Sequence, residues 1–152
     1  MTFTESINTC LRQKYVTFSG RAQRSEYWWF FLATFLFYIA FAMLAGLVFA
    51  VVGVSDPNAS NGMSAGMIIM VILGLILFVA LFLPGISVGV RRLHDRNMSG
   101  WWYLGAMIAG QIPLVGAVVG IAFLVLMALK GTDGPNRFGP DPLKGGDAEI
   151  FA

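Results

Sequence analysis

The chain has 152 residues, 57% of them hydrophobic and only 12% charged, with a mean hydropathy of +0.74. This composition excludes a soluble globular domain. A net charge of +2, gathered in a few short clusters, excludes a nucleic-acid-binding face, and a single cysteine, Cys10, excludes an internal disulfide and any cysteine-based metal motif.

The first element is short. Thr2-x-x-Glu5 fits a capping box, and Phe3, Ile7 and Leu11 recur at four-residue spacing beside Cys10. The expectation is an interfacial amphipathic helix that anchors the chain on the cytoplasmic leaflet. No short apolar core with a cleavage site precedes the first long apolar run, so a cleavable signal peptide is not expected.

Charge-free runs then define the membrane segments. The first span is predicted over about 28–52, entered through the aromatic series Tyr27-Trp28-Trp29-Phe30-Phe31, which suits the headgroup zone. Residues 55–66 are rich in turn formers and read as an exposed outer loop. The second span is predicted over about 66–90, with Pro84 removing the helix hydrogen bond that the Ala80 carbonyl would otherwise accept. Glycine pairs at Gly85 and Gly89, and at Gly116 and Gly120, are candidate close-approach faces.

A dense charged stretch follows, Arg91-Arg92-Leu93-His94-Asp95-Arg96-Asn97-Met98, read as a loop. The amino-terminal segment and this stretch carry lysine and arginine whereas 55–66 carries none, so the amino terminus and Arg91 are expected on the cytoplasmic side.

The third apolar region, Trp101 to Leu129, has 29 residues and would extend about 43 Å as a straight helix, well beyond a hydrocarbon core of about 30 Å. A hairpin with arms at about 101–111 and 113–129 keeps all ten basic residues on one side. A single long kinked span is the alternative and would put the carboxyl terminus outside. The preferred fold is an all-α integral membrane protein: a compact helical bundle of two full spans and this short hairpin, forming one membrane domain over 1–143. Within 133–142 three prolines and the turn-forming Asn136 and Asp141 predict an ordered, helix-free strap, with the last residues, including 144–152, mobile.

Three blocks together carry a resemblance. They are Phe18 to Trp29; Arg91 to Asp95 with Ser99-Gly100-Trp101-Trp102; and Gly134-Pro135-Asn136-Arg137-Phe138-Gly139-Pro140-Asp141-Pro142. In this order the chain resembles Domain of Unknown Function family 805, small bacterial inner-membrane proteins. The resemblance implies a bacterial inner-membrane location and a multi-helix bundle, with no activity, ligand or catalytic residue attached. The chain departs in having Phe138 where tyrosine is more usual and in a rather long loop at 55–66.

Under the hairpin topology all three blocks meet at the cytoplasmic interface. Arg21, Arg24, Arg91, Arg92, Arg96 and Arg137 are the candidates for binding a lipid headgroup or other anion, since arginine holds carboxylate or phosphate in bidentate fashion. Glu26, His94, Asp95, Asn136 and Asp141 complete a polar cap network, ringed by Trp28, Trp29, Trp101 and Trp102. The functional expectation is a non-enzymatic membrane protein whose cap is structural and contacts anionic membrane lipids, with a homo-oligomer or a membrane protein as the other partner classes. No cofactor, metal or nucleic acid is expected. A small oligomeric transporter or channel is the alternative, although the spans offer only Thr34, Ser87, Gln111, Tyr38 and Tyr103 as polar groups. Less favoured is a membrane enzyme using His94 and Asp95: neighbours on a helix point about 100° apart, and none of the hydrolase, zinc-protease or phosphate-loop motifs is present.

Overall fold

A computed structural model of the chain describes residues 1–55 and 65–144; the outer loop and the tail beyond Lys144 lie outside them. Five α-helices occur in the described residues: α1 (Phe3–Asn8), α2 (Arg24–Ser55), α3 (Ala65–Asp95), α4 (Trp101–Ala109) and α5 (Val115–Ala128). A π-helical turn, Thr9–Gln13, continues α1. The all-helical class read from the sequence is what forms.

The physical reason is lipid. With no water to receive backbone N–H and C=O groups, a spanning segment must satisfy them within itself. Helices α2 and α3, of 32 and 31 residues, are long enough for a core of about 30 Å. Their large side chains, such as Met43, Leu47, Leu75 and Ile76, face outward, which in water would be an aggregation hazard and in acyl chains is solvation.

The chain divides into two packed units, one of Leu32–Phe82 and one of Met1–Phe31 with Leu83–Ala152. In the Leu32–Phe82 unit α2 and α3 run antiparallel, with Tyr38 against Phe78 and Phe41 over Gly74. The Tyr38 hydroxyl donates to the Phe78 carbonyl at 3.4 Å.

The other unit holds the buried core, made of Cys10, Ala22, Tyr27, Phe30, Val88, Leu93 and Met127. Here the third apolar region is a hairpin. Helix α4 ends at Ala109, Leu114 takes a positive φ of 67°, and α5 returns, with Tyr103 meeting Phe123 edge-to-face at 5.4 Å. The turn is tight because a Cβ on Gly116 would collide with the backbone of Gly110. The single kinked span therefore does not form. At about 1.5 Å per residue, nine-residue α4 and fourteen-residue α5 are each shorter than a hydrocarbon core of about 30 Å.

Two expectations need correction. Each glycine pair is used at one member only: a Cβ on Gly89 would overlap the Tyr103 ring and one on Gly116 the Gly110 backbone, while Gly85 and Gly120 have open space around them. The Arg91–Asp95 stretch is not a loop but the last turn of α3, and the helix ends in a Schellman motif. Met98 N–H donates to the Leu93 carbonyl at 3.0 Å, Asn97 N–H donates to that of His94 at 2.9 Å, and Asn97 holds a left-handed φ of 58°. Asn97 was the sequence sign of that cap. The charge density around it hid the signal.

Candidate functional site

The last turn of α3 inserts two arginines into the protein instead of presenting them to water. Arg91 and Arg92 have no exposed surface, and Arg21, Glu26 and Asp95 are buried with them. Bare burial of such charges is prohibitive, so each must find charged or carbonyl partners.

Arg91 pairs through Nη1 with Glu26, which sits in the first turn of α2, where the helix dipole favours an acid. Asp95 is shared. Its Oδ1 accepts from Arg21 Nε at 2.9 Å, and its Oδ2 accepts from Arg92 Nη1. The same guanidinium groups also hold backbone carbonyls, with Arg21 Nη2 shared between Asp95 Oδ1 at 2.8 Å and a carbonyl. Arg21 donates to Gly134 and Thr132, both at 2.6 Å, and Arg92 donates to Met127 at 3.0 Å and to Leu129.

These bonds cap helices reciprocally. The carbonyls of Met127 and Leu129 at the end of α5 would be orphaned, and Arg92 from α3 satisfies them, with Arg96 holding the Lys130 carbonyl. In return the strap that follows α5 caps α3. Thr132 N–H and its hydroxyl both donate to the Asp95 carbonyl, at 2.8 and 3.0 Å, and the Asn136 side-chain amide donates to the His94 carbonyl at 2.9 Å. Backbone fit is equally close: a Cβ on Gly131 would overlap the Asp95 carboxylate.

The strap is ordered and helix-free. Asn136 and Gly139 exchange backbone hydrogen bonds at 3.0 Å, Gly134 and Gly139 take positive φ, and Asp141 accepts from the N–H groups of Gly134 and Leu143 at 3.0 Å. Those two N–H groups, aided by the charges of Arg21 and Lys144, hold the Asp141 carboxyl below its ordinary range.

His94 and Asp95 do not act on one another. His94 Nδ1 lies 3.2 Å from the Gly20 carbonyl, and its ring stacks on Phe138 at 3.9 Å with the planes 4° apart. Phe138 thus contributes a face that a tyrosine would supply equally well. Arg137 lies over the same ring at 4.6 Å and donates to the Asn97 carbonyl at 3.1 Å.

The amino-terminal segment closes the other side. Of the expected apolar stripe, Phe3 in α1 and Leu11 in the π-helical turn are partly exposed. The opposite face, Ser6, Thr9 and Cys10, is buried. Ser6 donates to the Glu26 carbonyl at 2.6 Å, and Ser87 donates to the Thr17 carbonyl at 2.6 Å. The Cys10 thiol, 4.0 Å from Glu26, is pushed up to about 11 by burial and by the Glu26 charge, with Arg91 opposing. It is an inert, packed thiol. Ser6, Cys10, Ser87 and Thr132 were not sequence candidates, since small polar residues reveal their role only when a distant carbonyl or carboxylate arrives.

Of the six arginines proposed for anion binding, Arg21, Arg91 and Arg92 are buried and engaged internally, whereas Arg24 and Arg137 are exposed and Arg96 half-buried. Trp29, Trp101 and Trp102 are exposed and Trp28 half-buried. Among the described residues no group of three His, Cys, Asp or Glu side chains is placed to hold a metal.

A model of the family described as "Protein of unknown function (DUF805)" matches residues 15–140. The inner membrane protein YhaH of Escherichia coli (strain K12) is 37% identical over 130 residues, covering 86% of this chain and 90% of the relative. The inner membrane protein YhaI of the same strain is 32% identical over 130 residues, covering 86% and 89%. No solved structure matches the chain.

Proposed function

Because the chain belongs to the DUF805 family of proteins of unknown function, we propose that it is a non-enzymatic, multi-pass inner-membrane protein whose charged cap is first a structural clamp. The cap faces the cytoplasm, and its rim, the exposed Arg24 and Arg137 with the half-buried Arg96, contacts anionic lipid headgroups. One observation carries this reading: Asp95 joins Arg21 to Arg92, and those arginines hold the carbonyls of the strap and of the α5 end, so one carboxylate ties three chain segments together. Arg21 and Arg92 spend their donors internally, and Arg91 is fully buried with Nε and Nη2 unpartnered among the described residues, so the rim is the surface an external anion can reach.

Two further features support the reading. All ten lysines and arginines fall in the unit formed by Met1–Phe31 and Leu83–Ala152, which agrees with a single cytoplasmic face. His94 and Asp95 serve separate partners, which gives neither the geometry of a general base with its orienting acid.

The test is native mass spectrometry of protein purified from membranes containing phosphatidylglycerol. Combined Arg24→Gln, Arg96→Gln and Arg137→Gln should lower retained anionic lipid by tenfold or more, with helicity unchanged. Undiminished lipid on this folded variant overturns rim recognition. Orientation is tested by a thiol placed at Lys144: labelling from the outer face alone refutes a cytoplasmic strap.

A further inference from the structure

Between α4 and α5 lies a cavity of about 340 Å³. It runs along the hairpin from Leu93 and Met98, in the charged turn, to Ala109 and Val119 near the pinched end where Gly110 meets Gly116. Its walls are small at one height, Gly105 and Ala106 on α4 facing Ala122 on α5. A Cβ on Gly105 would meet nothing within 4 Å. Trp102 supplies the one polar side-chain atom of the lining, its indole nitrogen.

The shape and the chemistry select the occupant. A slot without charged or hydroxyl groups offers nothing to a polar solute. An aliphatic chain fits. At the charged end the slot is flanked by cations: Arg96 follows Leu93 by three residues, and its Nη1 reaches the Lys130 carbonyl, four residues beyond the lining residue Leu126. Lys130 is exposed and pairs with the equally exposed Asp133, a surface bridge weak enough for a phosphate to displace, and Arg96 is half-buried, with Nη1 on the Lys130 carbonyl and a buried Nε that has no hydrogen-bond partner among the described residues.

We propose that this slot is a specific site for one acyl chain of an anionic glycerophospholipid, whose phosphate is held by Arg96 and Lys130 at its mouth. The inference rests on the rim reading above and deepens it, by assigning the lipid tail a place as well as the headgroup. The hairpin then has a reason to remain open between its arms: the acyl chain completes the packing that Gly105 and Ala122 leave unfilled.

The full-length protein in nanodiscs, with Trp28, Trp29 and Trp101 replaced by Phe, isolates the fluorescence of Trp102 in the slot. Phosphatidylglycerol brominated on its acyl chain, present as a minor component of a phosphatidylcholine bilayer, should quench Trp102 several-fold more than equally brominated phosphatidylcholine. Gly105→Leu, whose Cβ enters open space in the slot, should abolish that preference, whereas Ile121→Phe on the exposed side of α5 should preserve it. Equal quenching by the two lipids, or an unchanged preference in Gly105→Leu, overturns the proposal. Quenching relieved by a free fatty acid but not by unbrominated phosphatidylglycerol also overturns it, as does a dimer that forms through this face and excludes both. The two readings fail separately. If the rim triple variant loses its lipid while Gly105→Leu retains it, the slot falls and rim recognition stands; if the triple variant retains its lipid, rim recognition itself has failed.

Discussion

Replacing Asp95 with alanine tests the clamp most directly. Asp95 is the shared carboxylate of Arg21 and Arg92, and its side chain is only 5% exposed. Each charge-assisted hydrogen bond is worth about 1.5–3 kcal/mol, so the gross loss for two lies at about 3–6 kcal/mol. Removing one partner of a buried ion pair costs about 3–5 kcal/mol in general, chiefly by stranding the other charge. Here both arginines keep carbonyl partners, Thr132 and Gly134 for one and Met127 and Leu129 for the other, which places the expected loss near the lower end. A loss of about 3 kcal/mol moves the folding equilibrium by roughly 150-fold. Denaturant titration in mixed micelles, followed by circular dichroism, measures it. The paired control is Asp133→Ala, which breaks the Lys130–Asp133 bridge whose side chains are 64% and 73% exposed; its effect should stay within about 0.5 kcal/mol. If Asp95→Ala falls within the same range as that control, the reasoning that burial turns these charges into a clamp is wrong.

Two other outcomes follow from the geometry. Gly89→Ala drives a methyl into the Tyr103 ring and should cost about 1–3 kcal/mol by overpacking, whereas Gly85→Ala, one turn earlier, should be nearly neutral; equal effects in the same titration would show that the glycines act as a pair after all. Asp141 ties down the far end of the strap, and its carboxyl is depressed below the ordinary 3.8 by the Leu143 and Gly134 N–H groups. Its stabilisation is therefore present above about pH 4 and lost as pH falls through the lower folded value. Hydrogen exchange at Gly134 and Leu143, corrected for its intrinsic pH dependence, should lose protection there, and Asp141→Asn should remove the transition. A transition that persists in Asp141→Asn assigns it to another group.

Much of the fold was legible because lipid makes simple demands. Long uncharged runs announced α2 and α3, and a third run too long for one span, interrupted by Gln111 and Pro113, pointed to the hairpin. The blocks around Arg21, Arg91 and Asn136 indicated that three distant segments meet. Pairing was not legible. That Arg92 and Arg96 serve the end of α5 while Thr132 and Asn136 serve the end of α3 depends on which carbonyls come within 3 Å, and a carbonyl has no letter in the sequence.

Sequence alone therefore determined the solvent, the class and the place of the charge, because transfer of apolar residues and of arginine into hydrocarbon depends on composition and position along the chain. Tertiary structure decided what the charge is for. Whether an arginine meets an external phosphate or an internal carboxylate depends on distances of a few ångströms between residues as much as 113 positions apart, as for Arg21 and Gly134, and only packing sets those. The same packing turned Arg91, Arg92 and Asp95 inward, left Arg24 and Arg137 exposed, and opened the slot beside Trp102.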